Sequence, residues 1–295
     1  MSFKSTKRPH FFYTTTPLPC PYLPGRTERK VVTELSGVHA ETLHDRLSKG
    51  GFRRSHNIAY APVCQGCNSC VPIRIRAFDY RPNRTQKRIE RRNADLSVQE
   101  MPPRATTEQY ALFHTYQRTR HGNSDMSTMS FYDYRAMVED TPIETSMVEF
   151  RLPDGRLVGA CLTDRLGDGL SAVYSFFDTD LNARSLGTYA VIWLIHKAAA
   201  LGLENVYLGY WVKDSPKMAY KARFQPSEIL RGGQWRPLCS NLAPPSPGGE
   251  LRSQTCGQGK SPRPDLPARG TRITDTLCRG SAHSHTLPLR AARMR

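Results

Sequence analysis

Apolar runs in the middle of the chain are separated by turn signals, a pattern that predicts β-strands. Met147–Leu152 and Arg156–Thr163 flank Pro153-Asp154-Gly155, which is a strong hairpin signal. Leu170–Phe177 follows a second turn at Gly167-Asp168-Gly169. We therefore expect three consecutive antiparallel strands over this part of the chain.

Helical patterns stand on both sides of these strands. Thr106 and Gln109 fit a capping box, in which two side chains satisfy the first free N–H groups of a helix. The expected helices are Ala40–Lys49, one from Thr106, Phe131–Glu139 and Leu186–Leu201, with a further strand at Asn205–Trp211. Three antiparallel strands, a helix and a strand are the element order of the N-acetyltransferases. The predicted fold class is α/β (α+β), with an N-acetyltransferase-like domain on an antiparallel-rich central sheet.

Changes in composition divide the chain into three parts. Met101-Pro102-Pro103-Arg104 marks a boundary between a smaller cysteine-containing domain at 1–103 and an acyltransferase-like domain at 104–238. Residues 239–295 contain no Phe, Tyr, Trp or Val. Burial of the few large apolar side chains that remain cannot offset the conformational entropy lost when the segment is ordered. We therefore expect a disordered tail. One hypothesis is that this tail is an aberrant extension.

The charge balance favours an anionic partner. The chain has 42 Lys+Arg against 26 Asp+Glu, a formal net charge of +16. Such a surface attracts polyanions, which favours nucleic acid, although a basic protein without this partner is the alternative. No run approaches the roughly 20 apolar residues that span a bilayer, and no apolar stretch marks a secretory signal. We expect a cytoplasmic protein with no membrane partner, whose cysteines are thiols or metal ligands.

Three cysteines lie within seven residues, at Cys64, Cys67 and Cys70, while Cys20 is distant in sequence. Thiols at i, i+3 and i+6 in a turn that contains glycine can point at one metal ion. With Cys20 as the fourth ligand they would form a structural zinc site or hold an iron–sulfur cluster. Unliganded thiols are the alternative. Cys161 lies on a predicted strand, so we expect a small core residue there.

A strand runs into a helix at Ser175–Tyr189, where backbone N–H groups can bind phosphate or polarise a carbonyl oxygen. Arg184 and Gly187 fit the turn common in acyl-CoA users, Arg/Gln-x-x-Gly-x-Gly/Ala, but Tyr189 stands where a small residue belongs. This mismatch favours a ligand other than the pyrophosphate of CoA. An ordinary helix start, with Gly187 allowing close packing, is the alternative.

Two further segments are rich in cations. Tyr207–Pro226 interleaves aromatic residues with lysine and arginine, a combination suited to base stacking and to contact with phosphate or carboxylate. Aromatic residues that simply pack in the core of a strand are the alternative. Arg84–Arg92 is a dense basic run that could contact the phosphates of a nucleic acid or form a solvated charged face.

Five blocks of sequence, taken in order, resemble one family closely. They are PCPYLPGR (19–26), GGFRRSHNIAYAPVCQGCNSCVPIRI (50–75), QKRIERRNADL (86–96), VYSFFDTDLNARSLGTYAVIWLI (173–195) and VYLGYWVKDSPKMAYKARFQP (206–226). In these blocks the chain is similar to the arginyl-tRNA–protein transferases, and within that family to the bacterial leucyltransferases. The resemblance spans about residues 10–237 and leaves the tail unmatched.

The resemblance implies a defined reaction, in which leucine esterified to the 3′ end of tRNA is transferred to the α-amine of a protein that begins with Asp or Glu. This marks the acceptor for degradation by the N-end rule. An α-amino group has a pKa of about 8, so a useful fraction is neutral at pH 7. Because the ester is already activated, positioning the amine supplies much of the acceleration. We therefore expect preorganisation and an oxyanion donor, with no cofactor required for the chemistry.

The resemblance also implies candidate site residues. The residues expected to hold the aminoacyl-adenosine end of leucyl-tRNA are Arg184, Ser185, Leu186, Thr188 and Tyr210, with Gly187 helping to polarise the carbonyl. Asp178 or Asp180 would orient or deprotonate the incoming amine, with helix capping as the alternative for each. The residues expected to recognise the acidic side chain of the acceptor, or tRNA phosphate, are Lys217, Tyr220, Lys221 and Arg223. The candidate metal ligands are Cys20, Cys64, Cys67 and Cys70.

The residues alone leave three alternatives open. Arginine could replace leucine as the donor amino acid, because no single residue proves the pocket apolar. An acetyl-CoA-dependent N-acetyltransferase would use the same architecture, although Tyr189 argues against it. A non-enzymatic RNA-binding protein would explain the charge and the cysteines but would leave the blocks between residues 173 and 226 unexplained.

Overall fold

The computed structural model of this chain describes residues 10–122 and 125–238. The predicted tail at 239–295 lies outside the described residues. The strands are β1 (Tyr13–Thr14), β2 (Leu18–Pro19), β3 (Thr27–Glu28), β4 (Lys30–Glu34), β5 (Arg53–Ser55), β6 (Ile58–Pro62), β7 (Val71–Arg76), β8 (Ser97–Met101), β9 (Thr145–Arg151), β10 (Leu157–Leu166), β11 (Gly169–Phe177), β12 (Asn205–Trp211), β13 (Ser227–Arg231) and β14 (Gln234–Pro237). The helices are α1 (Ala40–Lys49), α2 (Arg84–Arg92), α3 (Thr107–His121), α4 (Phe131–Glu139) and α5 (Leu186–Ala200). Short 3₁₀ turns lie at Asp125–Thr128, Asn182–Arg184 and Ala219–Arg223.

Capping boxes set the N-termini of α2, α3 and α4. In each box the first side chain accepts a hydrogen bond from the backbone three residues on, and the later side chain accepts one from the first backbone N–H. The pairs are Asn83 with Gln86, Thr106 with Gln109 and Ser130 with Asp133. The predicted box at Thr106 is thereby confirmed. The predicted bounds of α1, α4 and β12 match the structure, whereas the helix α2 formed by the basic run was not predicted.

An eight-stranded sheet, in the order β14-β13-β7-β12-β11-β10-β9-β8, holds most of the core. Its paired neighbours are antiparallel except β11 and β12, which run parallel. Successive residues of a strand face opposite sides of a sheet. Val148 and Cys161 therefore pack with α2 and α5, while Met147 and Leu162 pack with α3 and α4. The predicted α/β fold with an antiparallel-rich sheet is confirmed, and Cys161 is a core residue as expected.

β11 and β12 pair over three residues each and then separate. The pairs run from Gly169 opposite Asn205 to Ser171 opposite Tyr207. Gly209 has a φ of +74°, in the left-handed region that glycine adopts without a steric penalty. The pairing of β12 with β7 also shifts register at this point. A cleft therefore opens between the second half of β11 and the bent end of β12.

A second sheet, in the order β1-β4-β6-β5, is joined to the large one by a buried ion pair. Arg54 on β5 donates to both carboxylate oxygens of Asp164 on β10, at 2.7 Å each, and both side chains are 0% exposed. Thr145 also donates to Asp164, at 2.9 Å, and His44 lies 3.6 Å from it. Burial lowers the pKa of His44 to about 4, so its ring is neutral at pH 7. This network fixes the second sheet against β10.

The large sheet draws strands from both sides of the predicted domain boundary. β7 and β8 come from before residue 103, and the other strands of this sheet come from after it. All described residues fall in one compact unit. The division into domains at 103 and 104 stays a prediction. Within the described ranges, none of the helices has the length and apolar character that a membrane crossing requires.

Candidate active site

The side chain of Arg53 on β5 occupies the cleft between β11 and β12. Its Nη1 donates to Ser171 Oγ at 3.1 Å, and its Nη2 donates to the carbonyl oxygens of Ala172 and Val173, the latter at 3.3 Å. These carbonyls lie just beyond the last pair between the two strands. The Arg53 guanidinium therefore donates hydrogen bonds to carbonyl oxygens of β11 at the point where β12 no longer pairs with that strand. Its acceptors are all uncharged, so no carboxylate among the described residues neutralises it in these contacts.

Lys221 lies beside Arg53 and is only 8% exposed. Its Nζ donates to the carbonyl oxygen of Tyr210 at 2.8 Å, which ties the turn at Ala219–Arg223 to β12. Burial, and then the Arg53 guanidinium, lower the pKa of Lys221 to about 7. At neutral pH this amine therefore exists in both protonation states, inside a cleft that already holds one positive charge.

Aromatic rings connect the parts of the cleft. Tyr116 on α3 packs against Phe177 at the end of β11, with 5.0 Å between ring centroids. A Cβ at Gly187 would come within 2.7 Å of the Phe177 ring, so glycine lets the first turn of α5 pack closely on it. Tyr220, in the turn that carries Lys221, is 36% exposed. Burial, and then Tyr116 and Cys161, raise the pKa of Tyr220 to about 12.

Basic side chains gather at the same rings. The guanidinium carbon of Arg120 lies 5.9 Å from the centroid of Phe177. The ring of His121 lies 5.6 Å from that of Tyr116. The pKa of His121 is lowered by burial first, and then by Lys217 and Arg120. The cleft therefore combines an aromatic wall with positive charge at its base and its rim.

The predicted aminoacyl-binding residues meet at the start of α5. Ser185 has a φ of 53° and precedes the helix without a side-chain cap. Arg184 donates to both carboxylate oxygens of Asp95, at 2.7 and 2.9 Å, which ties this turn to the chain after α2. Thr188 is half-buried, and Leu186 is buried in the core under the sheet. The structure therefore groups these residues at one turn but places the Leu186 side chain in the core.

The aromatic side chains of β12 are buried, as the alternative of core packing predicted. Tyr210, a predicted aminoacyl-tRNA contact, donates through its hydroxyl to the carbonyls of Gly51 at 2.9 Å and Tyr60 at 3.2 Å. Tyr207 and Trp211 are 4% and 3% exposed. As placed, Tyr210 joins β12 to the second sheet, and its predicted contact with tRNA stays a prediction.

The two predicted catalytic carboxylates differ in their surroundings. Asp178 accepts a hydrogen bond from Arg156 at 2.8 Å and another from the backbone N–H of Asp180 at 2.9 Å. Asp180 is exposed. Asp178 is therefore already compensated by a cation. Of the predicted acceptor-binding residues, Lys217 and Arg223 are exposed, while Lys221 lies inside the cleft.

Comparison with known proteins places the chain in a family. Models described as "Arginine-tRNA-protein transferase, N terminus" and "Arginine-tRNA-protein transferase, C terminus" match residues 18–88 and 108–231. The chain is 60% identical over 244 residues to an "Aspartate/glutamate leucyltransferase" of Gluconacetobacter diazotrophicus, across 83% of this chain and 94% of that protein. The chain belongs to the arginine-tRNA-protein transferase family. The resemblance that the sequence blocks carry is thereby confirmed.

The chain is also similar to a second leucyltransferase and, weakly, to a solved structure. The chain is 63% identical over 235 residues to an "Aspartate/glutamate leucyltransferase" of Granulibacter bethesdensis, across 80% of this chain and 88% of that protein. Among solved structures, that of L-PGS from Bacillus licheniformis aligns with a TM-score of 0.37 and 9% identity, over 61% of this chain and 52% of that one. A likeness this weak adds nothing to the fold assignment, which rests on the element order and sheet topology.

The four cysteines of this transferase-family chain are near neighbours. The pKa of Cys70 is raised to about 11 by burial first, and then by Cys20, Cys64 and Cys67. Cys64, Cys67 and Cys70 line one cavity of about 500 Å³. Across residues 10–122 and 125–238, no three His, Cys, Asp or Glu side chains are arranged so that they could hold a metal ion. In this arrangement the four thiols do not form a set of metal ligands. The predicted metal site at these cysteines stays a prediction.

Arg53 is a candidate site residue that was not predicted from the sequence. Two signals in the sequence point to it. Gly209 interrupts an otherwise apolar strand, which is typical of a bend or of the close approach of another group. The adjacent pair Arg53-Arg54 on one short strand places its two cations on opposite faces, so one of them must point at the rest of the molecule.

Proposed function

We propose that this protein moves leucine from leucyl-tRNA to the N-terminal Asp or Glu of acceptor proteins. The names of its relatives support the proposal, and both of those relatives are matched over nearly their whole length. The observation that carries it is the cleft between β11 and β12, where Arg53 lies without a carboxylate partner among its contacts. A negatively charged acceptor residue would supply the missing partner.

The proposed reaction balances without a cofactor. The α-amine nitrogen of the acceptor attacks the leucyl carbonyl carbon, and a peptide bond forms as the ester bond to the terminal ribose breaks. The ribose oxygen takes up the proton that the amine loses. Backbone N–H groups at the start of α5, near Gly187, are proposed to stabilise the developing negative charge. Because Asp178 is already paired with Arg156, Asp180 is the better candidate for orienting the amine.

The charge of the cleft favours leucine over arginine as the donor. Arg53, Arg120 and Lys217 supply cationic side chains in and around the cleft. A guanidinium brought in on arginyl-tRNA would meet like charges in a partly desolvated site. The leucine side chain would instead meet the rings of Tyr116 and Phe177.

The acceptor and its fate follow from the same proposal. The carboxylate of an N-terminal Asp or Glu would contact cations of the cleft. Lys217, Lys221 and Arg223 keep their proposed roles as cations, and Tyr220 keeps its role as a hydroxyl donor. Leucine at a new N-terminus would mark the acceptor for N-end rule degradation. Because charged tRNA is the donor, we place the reaction in the cytoplasm.

One assay separates the candidate donors. Purified protein is incubated with a peptide that begins with Asp, together with labelled leucyl-tRNA, arginyl-tRNA or acetyl-CoA. We expect addition of leucine. Addition of arginine alone would reassign the donor, and addition of acetyl alone would make the protein an N-acetyltransferase. Binding of tRNA with no transfer from any donor would support a non-enzymatic RNA-binding protein.

For the four cysteines we propose a structural zinc or iron–sulfur site that requires the thiols to move together. Soft thiolates are the ligands that both prefer. Metal analysis of protein purified without oxygen tests the proposal. Zinc or iron bound in wild type and lost on Cys67→Ser supports it, and wild-type protein without either metal removes it.

A further inference from the structure

The basic run Arg84–Arg92 folds into a helix with one cationic face. Four exposed cations occupy positions i, i+3, i+4 and i+7, which share one side of an α-helix. We name this set the α2 stripe: Arg84, Lys87, Arg88 and Arg91. The opposite side holds Gln86, Ile89 and Asn93, all buried. The arrangement is therefore a charged stripe on a helix that is firmly packed on its other side.

Helix stability does not explain the stripe. Arg91 lies in the last turn, where a cation is favourable, but Arg84 and Lys87 lie in the first turn, where the helix dipole disfavours positive charge. The first turn contains no acidic residue. Neighbouring cations at these spacings also repel one another. None of the ion pairs found among the described residues involves the stripe, so its charge is open to an external anion.

The ends of α2 are attached to the two segments that form the cleft. At its start, the amide Nε2 of Gln86 donates to the carbonyl oxygen of Arg223 at 3.3 Å, next to Lys221. At its end, Asn93 Nδ2 donates to the carbonyl oxygen of Arg184 at 2.8 Å. The guanidinium of Arg92 donates to the carbonyl oxygen of Ala183 as well. The stripe is thus held between the turn that carries Lys221 and the turn that starts α5.

We propose that the α2 stripe docks the phosphate backbone of the aminoacyl-tRNA beside its charged 3′ end. The inference rests on the proposed transfer from aminoacyl-tRNA, because that donor brings a dense row of phosphates close to the cleft. Arginine and lysine in one row contact phosphates without reading base sequence. The stripe therefore sets affinity and placement of the tRNA, while the cleft sets the chemistry.

A charge-matched pair of variants tests the stripe. In the stripe variant Arg84, Lys87, Arg88 and Arg91 are replaced by Gln, which keeps good helix propensity. The control variant replaces four exposed arginines away from α2 by Gln, namely Arg46, Arg104, Arg135 and Arg165. Both lose four positive charges, so an effect of net charge alone would appear equally in both.

Two readouts are measured as a function of salt: binding of uncharged tRNA, and steady-state transfer from leucyl-tRNA. We expect the stripe variant to raise the KM for leucyl-tRNA at least tenfold with kcat within about twofold of wild type. The slope of log affinity against log salt should fall by about 3, since each phosphate contact contributes roughly 0.7–0.9. The control variant should change the slope by less than 1.

The outcomes separate the stripe from the proposed function. Equal effects in the stripe and control variants, or unchanged tRNA affinity in the stripe variant, would overturn the inference. A separate assay measures binding to phosphatidylglycerol vesicles. If the stripe variant loses vesicle binding but keeps tRNA binding, the stripe is a membrane-binding surface and the inference is overturned. If wild type transfers no leucine, the proposed function fails, while the binding of uncharged tRNA still decides whether the stripe docks RNA.

Discussion

Arg53 stands where a side chain on Gly209 would begin: a Cβ built on Gly209 would lie 2.7 Å from Arg53 Nε and 3.0 Å from its guanidinium carbon. The guanidinium is held by acceptors on β11, and Gly209 is the point at which β12 bends. The two residues lie in different sheets and are far apart in sequence. Together they keep the cleft open and place a cation at its base.

Gly209→Ala should displace Arg53, and Gly202→Ala is the matched control. Gly202 has a similar φ of +71° but has no atom within 4 Å of its built Cβ. Left-handed backbone alone should cost about 1 kcal/mol in either variant. We expect Gly209→Ala to lose at least about 1.5 kcal/mol more, because the charged hydrogen bonds of Arg53 are disturbed. Denaturant unfolding measures the change in stability, and the rate of leucyl transfer measures whether the cleft still functions.

A double-variant cycle checks the cause of that loss. If the clash with Arg53 is responsible, Gly209→Ala should cost much less stability in an Arg53→Ala background than in wild type. Fully additive effects would contradict the direct contact between the two residues.

The buried pair of Arg54 and Asp164 should be costly to break from one side. Arg54→Met leaves the Asp164 carboxylate in the core without its partner, so we expect a loss of about 3–5 kcal/mol in the free energy of unfolding. The exposed pair of Arg135 and Glu139 is the comparison, and Arg135→Met should change stability by less than about 0.5 kcal/mol. Similar losses in both variants would mean that Asp164 is not isolated from water.

Lys221 should make stability depend on pH in a defined window. Burial lowers its pKa from 10.5 to about 7, so between these values the unfolded chain binds a proton that the folded chain has released. The stability of wild type should therefore rise with pH across the window, by up to about 1.4 kcal/mol per pH unit. Below pH 7 Lys221 is protonated in both the folded and the unfolded chain. Its contribution to the free energy of unfolding should therefore stay constant there, at its least favourable value.

Lys221→Met removes this group while keeping a similar shape. The difference in unfolding free energy between wild type and Lys221→Met should change by about 1 kcal/mol or more from pH 7 to pH 9. Other titrating groups cancel in that difference. A difference that stays constant over this range would show that Lys221 is protonated normally in the fold.

The roles of Arg184 and Asp95 can be distinguished by how variants at each position change the KM for leucyl-tRNA. If Arg184 contacts the aminoacyl end, Arg184→Ala should raise the KM for leucyl-tRNA at least tenfold, whereas Asp95→Asn should raise it less than threefold. Asp95 only holds the guanidinium, at 2.7 and 2.9 Å. Equal effects from the two variants would assign the pair to fixing the turn rather than to contacting substrate.

Local signals in the sequence predicted the elements well. The capping box at Thr106 and Gln109, and the hairpin at Pro153-Asp154-Gly155, depend on residues close in sequence, so their chemistry can be read from the chain. β10 extends three residues beyond the predicted Thr163, because its turn is formed by Gly167 and Asp168 alone. Element order was enough to predict the fold class.

The cleft was only partly predicted, because its contacts are distant in sequence. Arg53 and Ser171 are 118 residues apart, so no local pattern joins them. Lys221 was expected to recognise the acceptor or tRNA phosphate, but its burial against the Tyr210 carbonyl could not be read from the sequence. Asp178 likewise has a partner, Arg156, that no spacing rule reveals. Which charges are compensated depends on tertiary packing.

The most direct measurement compares two acceptor peptides that differ only in beginning with Asp or with Asn. These residues have nearly the same shape, so the ratio of kcat/KM with leucyl-tRNA isolates the negative charge. We expect at least about a tenfold preference for Asp, since a charge-assisted hydrogen bond contributes roughly 1.5–3 kcal/mol. We also expect Arg53→Met to reduce this preference severalfold. Equal rates for both peptides in wild type would contradict recognition of an acidic N-terminus by the cleft.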